Sequence, residues 1–226
     1  RVNYPEHWLR AILAFGLDRL SVTERMTLLS DQWTLMYAGL SSVSNYFQLL
    51  NEYRNQDDPQ LIEMRVECLD RLYGLLDSKS LPSFEKYVRS HLGATAARFG
   101  WSSKNHESDL VRSARADVML AMGTIGQDPA TIAEARRQFN AYLTDPKKVE
   151  PDLLDPIFKI VAFNGDAKDY GKLDNLWRNA RTPEDRVRSM MSLPYFKQPE
   201  LIDRTLKFSL GNEIRLQDSP KLLGVI

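Results

Sequence analysis

Ser21-Val22-Thr23-Glu24-Arg25-Met26-Thr27-Leu28-Leu29-Ser30-Asp31-Gln32-Trp33-Thr34-Leu35-Met36-Tyr37-Ala38-Gly39 carries the first firm structural statement in this chain. It opens on S-x-x-E, where Ser21 and Glu24 can satisfy two of the backbone N–H groups that a helix start leaves without partners. Val22, Met26, Leu29, Trp33 and Met36 then follow in steps of four, three, four and three, which sets all five on one stripe of a helix. Gly39 supplies the stop.

The same spacing recurs along the chain. Val43, Tyr46, Phe47, Leu50 and Tyr53 make a second stripe, ended by the polar turn Asn55-Gln56-Asp57-Asp58-Pro59. Leu61, Met64, Cys68, Leu72 and Leu75 make a third; Phe84, Val88, Leu92, Ala96 and Phe99 make a fourth, closed by Gly100. Glu107 or Ser108 begins the next, with Leu110, Ala114, Val118 and Ala121 inward and Gly123 and Gly126 bracketing its end. Asp128-Pro129 places a cap residue before a first-turn proline, ahead of Ile132, Ala135, Phe139 and Tyr142.

Asp155-Pro156 repeats that device before Ile157, Ile160 and Val161, and Asn164-Gly165 closes the helix. An interior proline costs ~3 kcal/mol, so Pro156 argues against a helix running unbroken from Pro151. Leu173, Leu176 and Trp177 follow. Thr182-Pro183-Glu184-Asp185 starts a helix leading to Val187, Met190 and Met191, and Pro199 opens another through Leu201, Ile202, Thr205, Leu206 and Phe208 to Gly211. Arg1 to Tyr4 is the one segment that reads as a strand. The pattern gives about eleven helices. Their connectors are mostly short, so successive helices are antiparallel neighbours. The fold class is all-α: antiparallel helix pairs stacked as a HEAT/armadillo-like α-superhelix. No exact repeat is visible, so any repeat is degenerate.

Composition narrows the function. The 226 residues carry 30 Lys+Arg against 30 Asp+Glu, a formal net charge of zero, so no global field exists to hold nucleic acid. Hydrophobic residues at 43% and charged residues at 27% describe a folded globular chain rather than a disordered one. No apolar run approaches the ~20 residues of a membrane helix. Cys68, the single cysteine, has no internal disulfide partner and sits among Met64, Leu69 and Leu72, the setting of a buried thiol. A lone cysteine favours a reducing cytoplasm or a bacterial source.

Catalytic patterns are missing. His7, His91 and His106 include no pair four residues apart, so the H-E-x-x-H helix that sets two imidazoles on one face is absent. His106 reads as an exposed loop residue and His7 as a surface or capping residue. Neither G-x-S-x-G, G-x-G-x-x-G nor G-x-x-x-x-G-K-[ST] occurs. Arginines cluster at Arg112 and Arg115, at Arg136 and Arg137, and at Arg178, Arg181, Arg186 and Arg188. With Glu134, Glu184 and Asp185 interleaved they read as a solvated face laced with ion pairs; the sharper alternative is a concave basic lining that meets a ligand carboxylate. Trp8, Trp33, Trp101 and Trp177 read as packing residues rather than a platform for bases.

The order of the pieces resembles a known family. Arg1-Val2-Asn3-Tyr4 with His7-Trp8-Leu9 is similar to the segment by which the aminopeptidase N type of zinc aminopeptidases passes from a small β-sandwich domain into a C-terminal helical domain. That family includes the puromycin-sensitive and endoplasmic-reticulum aminopeptidases. Leu20-Ser21-Val22-Thr23-Glu24-Arg25 through Asp31-Gln32-Trp33 to Ala38-Gly39 resembles its L-S-x-x-D-R-x-x-L-x-x-D-x-x-x-L-x-x-x-G helix. Phe99-Gly100-Trp101 with Leu110-Val111-Arg112 and Gly123, Ala133-Glu134-Ala135-Arg136 with Phe139, and Ile214-Arg215-Leu216-Gln217-Asp218 resemble three later blocks, in the same order.

The resemblance implies a parent enzyme that removes N-terminal residues from peptides, using one zinc held by an H-E-x-x-H helix and a downstream glutamate. None of those residues is in this sequence, so the implied zinc belongs to a catalytic domain outside it, and this chain alone is expected to have no peptidase activity and no cofactor. Residues 1–5 are expected to be the tail of the β-sandwich domain. Residues 6–226 are expected to be the helical domain, stopping before its last helices and leaving an exposed apolar end at Leu222-Leu223-Gly224-Val225-Ile226 with some tendency to self-associate. The implied role is to cover the active-site cavity, limit access to peptides and meet the substrate beyond its first residue. The implied partners are the catalytic and β-sandwich domains of the same chain and peptide substrates. Arg215 is the residue that the resemblance points to, with Gln217 and Asp218 orienting it or capping the final helix; Asp218 before Ser219-Pro220 is a good cap in its own right. The rival expectation is a free-standing HEAT-like scaffold for protein partners.

Overall fold

The structure, a computed structural model, describes residues 2–4, 6–211 and 213–225. Among these there are twelve α-helices and no strand. They are α1 (Glu6–Phe15), α2 (Val22–Tyr37), α3 (Val43–Glu52), α4 (Pro59–Tyr73), α5 (Leu81–Phe99), α6 (Asp109–Gly123), α7 (Pro129–Thr144), α8 (Leu154–Phe163), α9 (Ala167–Arg178), α10 (Pro183–Ser192), α11 (Pro199–Ser209) and α12 (Ser219–Leu223). Four 3-10 turns lie at Leu17–Arg19, Pro146–Lys148, Pro151–Leu153 and Leu193–Tyr195. The expected strand at Arg1 to Tyr4 is corrected: Val2 to Tyr4 pair with no ladder, and Arg1 lies outside the described residues. The Val2 N–H goes instead to the Asp31 carboxylate at 2.9 Å.

The chain divides into two compact units, one reaching Gly100 and including Asn105–Ala121, the other comprising Trp101–Lys104 and the chain from Met122. In the first, α2 packs on α3 and α4, and α4 on α5. The Ser21–Glu24 capping box forms as the sequence predicts, with Glu24 N–H on Ser21 Oγ and Ser21 N–H on Glu24 Oε2 at 2.8 Å. Leu29, Leu50, Tyr53, Leu61, Leu69, Val88 and Leu92 are fully enclosed. Cys68 is buried, and its thiol accepts a hydrogen bond from the Tyr46 hydroxyl at 2.9 Å. Burial pushes the Cys68 pKa up to about 11.

In the second unit α7 packs on α8, α8 on α10, and α9 on α10. Phe158 of α8 receives Phe139 and Tyr142 of α7 edge-on at 5.0 and 5.1 Å, a favoured aromatic geometry. Asp128 caps α7 by accepting the Thr131 N–H at 2.8 Å, and Thr182 caps α10 through the Asp185 N–H; each such cap contributes about 1 kcal/mol. Asp155-Pro156 does not repeat this device. The turn Pro151–Leu153 runs straight into α8, placing Pro156 in the first turn, where its missing N–H has no intrahelical partner to lose. The Asp155 carboxylate instead takes Arg188 Nε at 2.6 Å.

Asn164 ties three helix ends of this unit. Its Nδ2 donates to Gly123 O at 2.8 Å and Ile160 O at 2.9 Å, while Oδ1 accepts from Gln127 Nε2 at 2.9 Å. The close approach of the end of α6 to α8 requires Gly123: a Cβ there would lie 2.7 Å from the Ile160 side chain.

Several stripe positions face outward. Val43, Leu75 and Leu110 are exposed at or just past helix ends, and Val187, in the middle of α10, is exposed as well. Trp8 is 58% exposed, which corrects its reading as a packing residue. Arg115 departs from the solvated-face reading, while Arg112 of the same cluster follows it by pairing with Asp109: Arg115 is 1% exposed, its Nη2 donates to both Glu107 oxygens, to Oε2 at 2.6 Å, and its Nε donates to Phe99 O at 3.3 Å.

Candidate functional site

The expected site residues fall in the second unit, after α11. There Asp218 N–H donates to Arg215 O at 2.9 Å, bending 213–218 into a turn before α12. An ionic tie brings this turn beside α9: Arg178, in the last turn of α9, donates Nη1 to Glu213 at 2.7 Å and Nε to Asp174 at 3.0 Å. Glu213 holds the Arg178 guanidinium in its charged form. Arg204 of α11 reaches the second oxygen of Asp174 at 2.6 Å, so one carboxylate joins α9 to α11. Arg178 also lies 4.6 Å over the Trp177 ring.

Between this turn and the start of α10 opens a depression of about 320 Å³, lined by Trp177, Arg186, Met190, Glu213, Arg215 and Asp218 among others. Arg215 and Asp218 are thus brought together, whereas exposed Gln217 is not in the lining. Asp218 occupies the cap position of α12 but its side chain makes no cap hydrogen bond, because its backbone there is helical, φ −95 and ψ −24, instead of extended. The indole Nε1–H of Trp177, 2% exposed, has no hydrogen-bond partner among the described residues. The sequence identified Arg215 and Asp218 but not Trp177 or Glu213, which come into the site through the Arg178 tie. Arg186 was legible only as part of an arginine cluster, and Arg188 of that cluster is spent on Asp155 and Asp185.

Two other depressions open on the same unit. The larger, about 530 Å³ between α8 and α10, is lined by Asp155, Lys159, Glu184 and Arg188, whose Arg188 and Asp155 neutralise one another. The other, about 380 Å³, is lined by Trp101, Arg137, Lys147 and Lys148 with Glu134, which pairs with Arg137.

Donor chemistry for zinc is not assembled. Among the described residues no group of three His, Cys, Asp or Glu side chains is placed to hold a metal ion. His7 and His106 are exposed, and His106 sits in a loop at φ 64. His91 is 1% exposed; its Nε2 accepts from Arg65 Nε at 3.3 Å, and burial together with Arg65 and Arg54 pushes its pKa down to about 3. Arg65, fully enclosed, donates otherwise to the Gln56 and His91 carbonyls, and burial lowers its pKa to about 10. These residues do not fit zinc.

Fold and site together define an all-helical domain of packed helices with a charged depression. The chain matches the family model described as ERAP1-like C-terminal domain over residues 1–226. It belongs to that family. Aminopeptidase M1-A of Oryza sativa subsp. japonica is 26% identical over 235 residues, covering 99% of this chain and 26% of the relative. Aminopeptidase 2, mitochondrial, of Saccharomyces cerevisiae is 24% identical over 217 residues, covering 94% and 22%, and the puromycin-sensitive aminopeptidase of Caenorhabditis elegans is 23% identical over 223 residues, covering 96% and 23%. The chain therefore spans about a quarter of the length of the curated relatives it matches. It corresponds to the C-terminal domain of M1-type aminopeptidases.

Proposed function

We propose that this chain serves a zinc-dependent aminopeptidase as its non-catalytic helical domain, covering the active-site cavity and controlling which peptides reach it. The observation that carries the reading is the family match across residues 1–226, to a domain class whose relatives are aminopeptidases about four times as long. The zinc and the residues that polarise the scissile peptide bond belong to the catalytic domain of the parent. In this reading residues 1–5 end the preceding β-sandwich domain, and the helical domain begins at residue 6. Arg215 meets the peptide beyond its first residue, with Asp218 in the same depression and Gln217 beside it. Self-association of the isolated chain through its C-terminal end is supported by Leu216, Leu223 and Val225, which are 88%, 37% and 44% exposed; Leu222 is buried, and Ile226 lies outside the described residues.

The test is steady-state kinetics of the whole enzyme with Arg215→Ala. The expected result is a KM about tenfold higher for peptides of several residues, the 1.4 kcal/mol scale of one charged contact, with turnover of an aminoacyl anilide unchanged. Equal KM values for both substrate classes would remove Arg215 from substrate contact.

A further inference from the structure

Helix α1, in the first unit, keeps an apolar face in solvent. Trp8, Ala11, Ile12 and Phe15 fall at i, i+3, i+4 and i+7, the spacing of a single helical face. Trp8 is 58% and Phe15 61% exposed, Ala11 is exposed and Ile12 half-buried, whereas Leu9 and Leu13 turn partly toward the protein. No described side chain of α1 is buried. An apolar face with two aromatic anchors left to solvent is the composition of a contact surface rather than of a solvated helix.

We propose that this face of α1 is the docking surface for the polypeptide that precedes the domain in the parent enzyme, an inference that rests on the proposed function. Two arguments select this occupant over a second copy. The relatives are about four times as long as this chain and the family is a C-terminal domain, so in them most of the polypeptide lies before the segment equivalent to α1. The face is also small. A ten-residue helix is about 15 Å long, and four side chains fall far short of the roughly 800 Å² per partner that a free-standing complex buries. A surface of that size works only when a short tether raises its partner's effective concentration to the millimolar range, and the first helix of a C-terminal domain is where such a tether attaches. Exposed Trp8 and Phe15 then act as the two anchors, with Ala11 allowing close approach between them.

Thiol labelling reads this directly, because Cys68 is buried and gives little background. Ala11→Cys is introduced into the 226-residue chain and into the whole enzyme, with Ala94→Cys, on an exposed position of α5, as the control. The expected result is that the thiol at position 11 reacts about tenfold or more slowly in the whole enzyme than in the 226-residue chain, as for a protected local site, while the control changes less. Trp8→Glu in the whole enzyme should restore the fast rate. Equal rates at position 11 in an active zinc peptidase would overturn the docking inference alone. A parent with no preceding polypeptide or no peptidase activity would overturn the functional reading as well. Slowing in the 226-residue chain that grows with its concentration would assign the face to a second copy and overturn the proposal.

Discussion

Lowering the pH from 7.5 to 5 should destabilise this chain through His91. In the folded state the imidazole is enclosed, Nε2 is occupied by Arg65, and a proton there would face a guanidinium at 3.3 Å; its pKa falls from 6.5 to about 3. Between those two values the unfolded chain binds one proton that the folded chain refuses, so stability is full above pH 6.5 and is lost as pH falls below it. At pH 5 the loss is about 1.36 × 1.5, or about 2 kcal/mol. That is roughly 4–8 °C in Tm for a chain of this size. The assay is urea unfolding followed by circular dichroism at half-unit pH steps, in parallel with His91→Gln, whose carbonyl oxygen can still accept from Arg65. Carboxylates contribute equally to both proteins and cancel in the difference. Glu134, held below its usual range by Arg137, and Glu24, held there by Ser21, lose stability only at lower pH. A wild-type curve parallel to that of His91→Gln between pH 7.5 and 5 would refute the assignment of a buried neutral imidazole.

Glu107→Gln removes the carboxylate that holds Arg115 and should cost about 3 kcal/mol in urea unfolding, the low end for orphaning a buried charge because Glu107 is 11% exposed; adding Arg115→Met should recover part of the loss, and a strictly additive pair would contradict the coupling. Gly123→Ala places a methyl against Cγ1, Cγ2 and Cδ1 of Ile160 and should cost about 1–3 kcal/mol, with Ile160→Ala, which removes all three carbons, making Gly123→Ala cheaper than in the wild type; no effect of Gly123→Ala would count against the tight approach of Gly123 to Ile160. Native Cys68 should resist iodoacetamide at pH 8 and react at the rate of a free thiol once unfolded, because its pKa is about 11 and Tyr46 covers it; fast native labelling would contradict its burial.

Local chemistry makes much of this fold legible in the sequence. Ser21 with Glu24, Asp128 with Pro129 and Thr182 with Pro183 are signals that act over three or four residues, so nothing distant overrides them. Asp155-Pro156 has the same letters, but Pro151–Leu153 already forms a helical turn that leads into α8, and the cap position falls on Leu153. Periodicity names the inward stripe without saying where a helix's packing neighbours end, so Val43 and Leu110, each in the first turn of its helix, lie in solvent. Arg115 illustrates the opposite limit: its burial depends on Glu107 folding back from the preceding loop, a contact that no spacing rule encodes. Of the site, Arg215 and Asp218 were visible through the resemblance of their segment, while Trp177 and Arg186 line the depression from far earlier in the chain, joined to it by the ion pair of Arg178 with Glu213.

Asn164 and Gly165 form the dipeptide most prone to slow chemical ageing, in which the glycine nitrogen attacks the asparagine amide and converts it to a carboxylate. Here both partners are occupied. The Gly165 N–H is donated to Ala162 O at 3.1 Å, Arg136 grips Asn164 O at 2.7 Å, Gln198 grips Gly165 O at 2.8 Å, and the amide itself is spent on Gly123, Ile160 and Gln127. The joint between three helix ends is therefore also its own preservative. Each local opening of α8 exposes the pair to cyclisation, and a carboxylate formed there would confront two carbonyl oxygens it cannot bond, so a molecule that has opened long enough would carry a permanent record of having done so.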